Sequence, residues 1–154
     1  MKMEESVVRE LSMTSVFDVF EKMYFTFLEP RDDEPSEDKC FAVQIGFSGG
    51  LEGDMYAFYS EELAQSMVGN ALGLDGEEIT DQVLQDCLKE CINMICGNFL
   101  QKIEPNRVLQ LSIPRFIGKA SVPKVGGWPS ALCLSFESDG MAMDIILRFS
   151  KIEA

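Results

Sequence analysis

A chain of 154 residues, 46% hydrophobic and 25% charged, is large enough to bury a core without disulfide or metal staples, and a single domain over residues 1–154 is expected. Its formal net charge of -13, from 26 acids against 13 Lys and Arg, excludes nucleic acid as a partner and disfavours an anionic membrane surface, while favouring soluble partners with exposed cations. Histidine is absent, so Ser-His and Cys-His nucleophiles, His general bases and His-containing metal sites are excluded.

The first residues are charged and lack an apolar signal core. No stretch approaches the roughly 18 apolar residues of a membrane span, so a cytoplasmic protein is expected. Apolar positions at Val7, Leu11, Val16, Phe20, Met23 and Phe27 predict a helix over residues 4–28, with Ser12 and Thr14 as a candidate break into two pieces. Residues 29–39 hold two prolines and a run of acids, the pattern of a solvated loop. The strand formers of 40–47, the Gly49-Gly50 turn and the extended run 53–59 predict a hairpin.

Ser60 then caps a helix whose stripe is Leu63, Met67, Val68 and Leu72, stopped by Gly73. Thr80-Asp81 opens a longer helix to about Lys102, and Pro105 prevents its continuation. Segments 109–119, 131–138 and 141–149 read as three strands, the last two joined at Ser138-Asp139-Gly140. The order α-β-β-α-α-β-β-β defines an α+β domain, an antiparallel sheet with helices packed on one side. A faint internal echo pairs Glu21 to Tyr24 in the first helix with Glu90 to Asn93 in the long one.

At about 100° per residue, Leu84, Leu88, Cys91 and Ile95 share one side of the long helix, flanked by Ile92 and Phe99. Asp86, Glu90 and Asn93, at i, i+4 and i+7, look the other way, and Gly97 continues their stripe one turn on. Lys89 and Leu100 lie close to this face. The stripe reads either as a solvated face or as a functional surface. Asn in mid-helix and Gly97, at roughly 1 kcal/mol against Ala, are unfavourable choices for a face that only meets water.

The pattern Asp86-x-x-x-Glu90-x-x-Asn93-x-x-x-Gly97 resembles the signature helix of the CheC/CheX/FliY phosphatases of bacterial chemotaxis. The resemblance extends to the Gly49 to Met55 hairpin, to Glu61 to Ala64 and to Met67 to Gly69, and nearly the whole chain fits the CheX-like layout. It implies hydrolysis of the aspartyl phosphate of a CheY-type response regulator. Asn93 would orient the attacking water, and Glu90 would bind the receiver's lysine. Asp86 would support the contact, and Gly97 would lie at the docking surface. Mg²⁺ would belong to the receiver, with no cofactor bound by this chain, and a homodimer through sheet edges is implied. Glu21 and Tyr24 stand where some members carry a second motif; the amide is missing there, which implies one site per chain. A Pro expected near the end of the motif in the CheC branch is Gly97 here. The same helix would also serve a non-catalytic adaptor or flagellar-switch-type module.

Cys87, Cys91 and Cys96 lack a C-x-x-C pair, and with Cys40 and Cys133 read as reduced, buried thiols. The methionines, among them Met13, Met67, Met94, Met141 and Met143, read as core filler. Trp128 is either a partner anchor or a lid on the core edge, and Asp32-Asp33 belong to a solvated run without a calcium-loop pattern.

Overall fold

A computed structural model describes residues 3–35 and 37–152; Met1, Lys2, Ser36, Glu153 and Ala154, which the expected extent 1–154 includes, lie outside them. In chain order the elements are α1 (Glu5–Tyr24), β1 (Glu29–Pro30), β2 (Cys40–Ser48), β3 (Leu51–Tyr59), α2 (Glu61–Leu72), a 3₁₀ turn (Gly76–Glu78), α3 (Asp81–Ile103), β4 (Gln110–Leu111), β5 (Arg115–Ala120), β6 (Ala131–Ser138) and β7 (Met141–Ile152). The strands form one antiparallel sheet in the order β1-β6-β7-β3-β2-β4, with β5 also paired to β2. This is the expected α+β architecture with three helices on one side.

Period-two alternation decides which face is covered. Val43, Ile45 and Phe47 of β2, Met55, Ala57 and Tyr59 of β3, and Met143, Ile145 and Leu147 of β7 all join the buried core under the helices. The other face carries Asp54, held by Arg148 through two hydrogen bonds of 2.8 and 2.5 Å, and a small apolar cluster around Phe58 and Ile146. Asp144 is buried there too. Ser135 Oγ donates to it at 2.5 Å, while burial pushes its carboxyl above the usual carboxylate range.

Several boundaries differ from those expected. The first helix is one piece, because the hydroxyls of Ser12, Thr14 and Ser15 donate to the carbonyls of Val8, Glu10 and Leu11, so none of them breaks it. That satisfaction lets Ser12 and Ser15 enter the buried stripe, and the stripe is rotated accordingly: Val8, not Val7, faces the core. The helix ends at Tyr24 and not near residue 28, since Phe25 takes a left-handed conformation at φ 51° and Thr26 N closes onto Phe20 O at 3.1 Å. The residues 29–39 contain the two-residue β1, which hydrogen-bonds to β6. The expected strand 109–119 is divided into β4 and β5 at Pro114, which has no N–H to give a ladder.

Phe25 leaves its ring largely in solvent, so burial of the ring does not offset its backbone conformation. A left-handed non-glycine residue is unfavourable by about 1–2 kcal/mol, and Gly loses roughly 0.5–1 kcal/mol in chain entropy. Phe25→Gly is therefore expected to stabilise the fold by up to about 1 kcal/mol, read as a melting temperature raised by about 2–4 °C. A lowered melting temperature would mean that the ring contributes to packing.

Candidate functional site

The long helix α3 is fixed before it presents anything. Thr80 Oγ1 accepts from Val83 N at 3.2 Å to cap its start, and Leu84, Leu88, Cys91, Ile92, Ile95 and Phe99 are buried beneath it. Helix α1 runs antiparallel along one flank: Lys102 Nζ binds Asp18 Oδ2 at 3.0 Å near one end, and Tyr24 meets the thiols of Cys87 and Cys91 near the other. A helix held on two sides has little freedom to turn about its axis.

On the remaining side the structure brings Asp86, Glu90, Asn93 and Gly97 into one stripe, as the spacing predicts. Asp86 is exposed but engaged, accepting from Gln82 Nε2 at 2.8 Å and pairing with Lys89 at 3.5 Å. Glu90 is exposed and Asn93 half-buried, and among the described residues neither has a hydrogen-bonding or ionic partner. An unpaired carboxylate and an unpaired amide thus stand three residues apart on one face of a well-seated helix. The amide supplies a donor and an acceptor without acquiring charge.

Leu100 lies on the side of Gly97, as the helical wheel predicts, but it is buried and not at the surface, because the segment after α3 folds back and Leu109 and Leu111 line a cavity with both residues. The fold-back does not account for Gly97. A Cβ built there would lie 3.7 Å from Leu111 Cδ1, an ordinary contact, so the chain itself does not require glycine.

Between α1 and α3 runs a groove of about 410 Å³, walled by Asp18, Val19, Lys22 and Met23 on one side and by Asn93, Met94, Gly97, Asn98 and Gln101 on the other. Sequence reasoning missed its α1 wall. The Asp18/Lys22 spacing of four signals an exposed helix face, but nothing local to the sequence says that this face lies opposite Asn93. The echo of the motif in α1 carries no matching pair: Glu21 is exposed, but Tyr24 is turned into the core.

Burial raises all five thiols above their ordinary value. Burial pushes Cys91 and Cys96 up to about 12, so both stay protonated at neutral pH. All five cysteines are free, and among the described residues no group of three or more Cys, Asp or Glu side chains is arranged to hold a metal. Among those residues no helix is long and apolar enough to cross a membrane. Met67 and Met143 are fully buried, in keeping with core filler. Trp128 closes the core edge, its ring edge-on to Phe149 at 5.9 Å between centroids.

The candidate site is thus an open face of a sheet-backed helix that offers an unpaired acid and an amide. The sequence model of the family described as "Chemotaxis phosphatase CheX" matches residues 41–139, more than half of the chain, and the chain belongs to that family. No curated protein matches it. Among solved structures it is similar to the chemotaxis protein CheX from Vibrio vulnificus (20% identity, 97% of this chain and 100% of that chain, TM-score 0.79). It is similar also to a CheC-like superfamily protein from Shewanella sp. PV-4 (20%, 97% and 100%, TM-score 0.78). A third likeness is to the CheX-CheY-BeF3-Mg²⁺ complex from Borrelia burgdorferi (19%, 94% and 98%, TM-score 0.73). At these identities the likeness establishes the fold, which is the CheC/CheX fold.

Proposed function

We propose that this chain hydrolyses the aspartyl phosphate of a CheY-type receiver, with Asn93 orienting the attacking water and Glu90 docking the receiver's lysine. The observation that carries the reading is the unpartnered Glu90/Asn93 pair on the open face of α3, in a chain of the CheX family. The Borrelia burgdorferi complex, in which CheX is found with CheY, BeF3 and Mg²⁺, supports the partner class. The receiver brings Mg²⁺ and the phosphoryl group, so this chain needs little beyond geometry. Phosphoryl transfer through a loose transition state is catalysed mainly by positioning and electrostatics. An amide at Asn93 holds a water in line through one acceptor and one donor, and the free Glu90 carboxylate offers the receiver's ammonium a partner that has no other claim on it. Asp86 keeps Lys89 engaged beside Glu90, which leaves the carboxylate of Glu90 open.

A panel of CheY-type receivers, phosphorylated with acetyl phosphate in Mg²⁺, tests this by the lifetime of the phosphoryl group. Shortening of that lifetime for at least one receiver is the expected result. Binding of a receiver with an unchanged lifetime would favour the adaptor reading instead. The proposed homodimer through sheet edges has β5 available, an edge strand with Ile117 and Lys119 exposed, and light scattering of the purified chain measures it.

Gly97 separates fold from docking. Because a Cβ fits beside Leu111, Gly97→Ala is expected to stabilise the helix by roughly 1 kcal/mol while weakening receiver binding by a methyl group placed in the docking surface. Thermal melting and receiver titration read the two effects in opposite directions. An Ala variant that binds the receiver as tightly as the parent would remove Gly97 from the interface.

A further inference from the structure

The groove beside Asn93 has an uneven charge balance. Asp18 is occupied by Lys102 at 3.0 Å, and Asp86 on the neighbouring face by Lys89 at 3.5 Å. Lys22, which lines the groove from α1 opposite Asn93, is exposed and has no hydrogen-bonding or ionic partner among the described residues. Lys39 and Lys124 also have no such partner among the described residues, but neither lines this groove, so Lys22 is the free cation that stands beside Asn93. Asn93 is thus flanked by two free charges of opposite sign, Glu90 on its own helix and Lys22 across the groove.

We infer that Lys22 is a second receiver-docking residue, pairing with an anionic group that borders the receiver's phosphorylation site. This rests on the proposed phosphatase reading and deepens it. One ion pair fixes a point but not an orientation. A second pair of the opposite sense, on a different helix, limits rotation of the receiver about Glu90 during encounter and so favours the docked pose over misdocked ones. It also offsets the repulsion that a strongly acidic chain exerts on an acidic phosphorylation site. Met23, half-exposed on the next position of α1, supplies apolar contact at the same wall.

An exposed docking charge acts on encounter and orientation, so its removal has a signature distinct from that of a structural change. With a phosphorylated receiver of the panel and Mg²⁺, Lys22→Gln is expected to raise KM about fivefold at low salt. The turnover of bound receiver should hold, and the difference should fade as salt screens the pair. Lys22→Arg is expected to restore the parental KM, and Lys22→Glu to raise it further than Gln does. A Gln variant with parental KM and salt dependence overturns the inference, as does one that loses turnover at unchanged KM. Melting curves that match the parent's exclude a folding explanation, as an exposed Lys-to-Gln change on a helix predicts. Parallel assay of Asn93→Ala separates the two levels. If the parent accelerates dephosphorylation and Asn93→Ala does not, the phosphatase reading stands whatever Lys22 does; if parent and Asn93→Ala are alike, both fall.

Discussion

Asn93→Ala is expected to slow receiver dephosphorylation by about 100-fold or more, while the phosphorylated receiver is still bound. The structure makes this substitution interpretable. Asn93 is half-buried at the mouth of the α1/α3 groove and has no partner in the protein, so truncating it breaks no internal bond. Ala is also the better helix former by several tenths of a kcal/mol, which predicts an unchanged or slightly raised melting temperature. Loss of activity with retained fold and retained binding therefore reports water positioning alone. Asn93→Asp is expected to be at least as inactive, since its carboxylate faces the phosphoryl charge that the neutral amide tolerates. The measurement is single-turnover decay of the phosphoryl label with the chain in excess, together with titration of a beryllofluoride-loaded receiver. An Ala variant that dephosphorylates as fast as the parent removes Asn93 from the mechanism.

Glu90 behaves differently under the same scheme. Its carboxylate is unpaired and exposed, and in the proposed scheme it holds the receiver while Asn93 acts on the water. The proposed division between an amide that acts on water and an acid that acts on the partner is compatible with a chain that has no histidine, because neither role needs a side chain that titrates near neutral pH.

The long helix, its caps and its two faces were legible in the sequence because they depend on local signals: Thr80 at the start, Pro105 just past the end, and a 3.6-residue alternation between Leu84, Leu88, Cys91 and Ile95 and the stripe at Asp86, Glu90 and Asn93. The hairpin of β2 and β3 was legible for the same reason, since Gly49-Gly50 carries positive φ angles of 117° and 113° between two runs of strand formers. What escaped the sequence were properties set by distant segments. Leu100 is buried because residues after Pro105 return over it, and a helical wheel contains no such information. Ser12 and Ser15 enter the core because helical carbonyls satisfy their hydroxyls, a compensation that a count of apolar residues does not register. Lys22 belongs to the site because α1 lies antiparallel beside α3, a fact of packing with no trace in the spacing of either helix.

The same dependence on packing sets the second large effect. Phe99 lies six residues beyond Asn93 on α3, fully buried in the core shared by that helix and the sheet. Phe99→Ala removes a ring from a close-packed interior and leaves a cavity that neighbouring side chains fill in part, at about 3–5 kcal/mol. Against a total stability of roughly 5–15 kcal/mol for a domain, that is a large share, and urea titration is expected to show a lower midpoint at an unchanged slope. The effect on function should follow from the fold and not from the site: Glu90, Asn93 and Gly97 keep their side chains, so folded molecules retain their turnover at low temperature and lose activity as the weakened core melts. A variant that is as stable as the parent would show that the core under α3 repacks around the missing ring. A variant that stays folded yet loses turnover would show that the position of Asn93 depends on the ring beneath the last turns of its helix, which makes the core of α3 part of the alignment of the site.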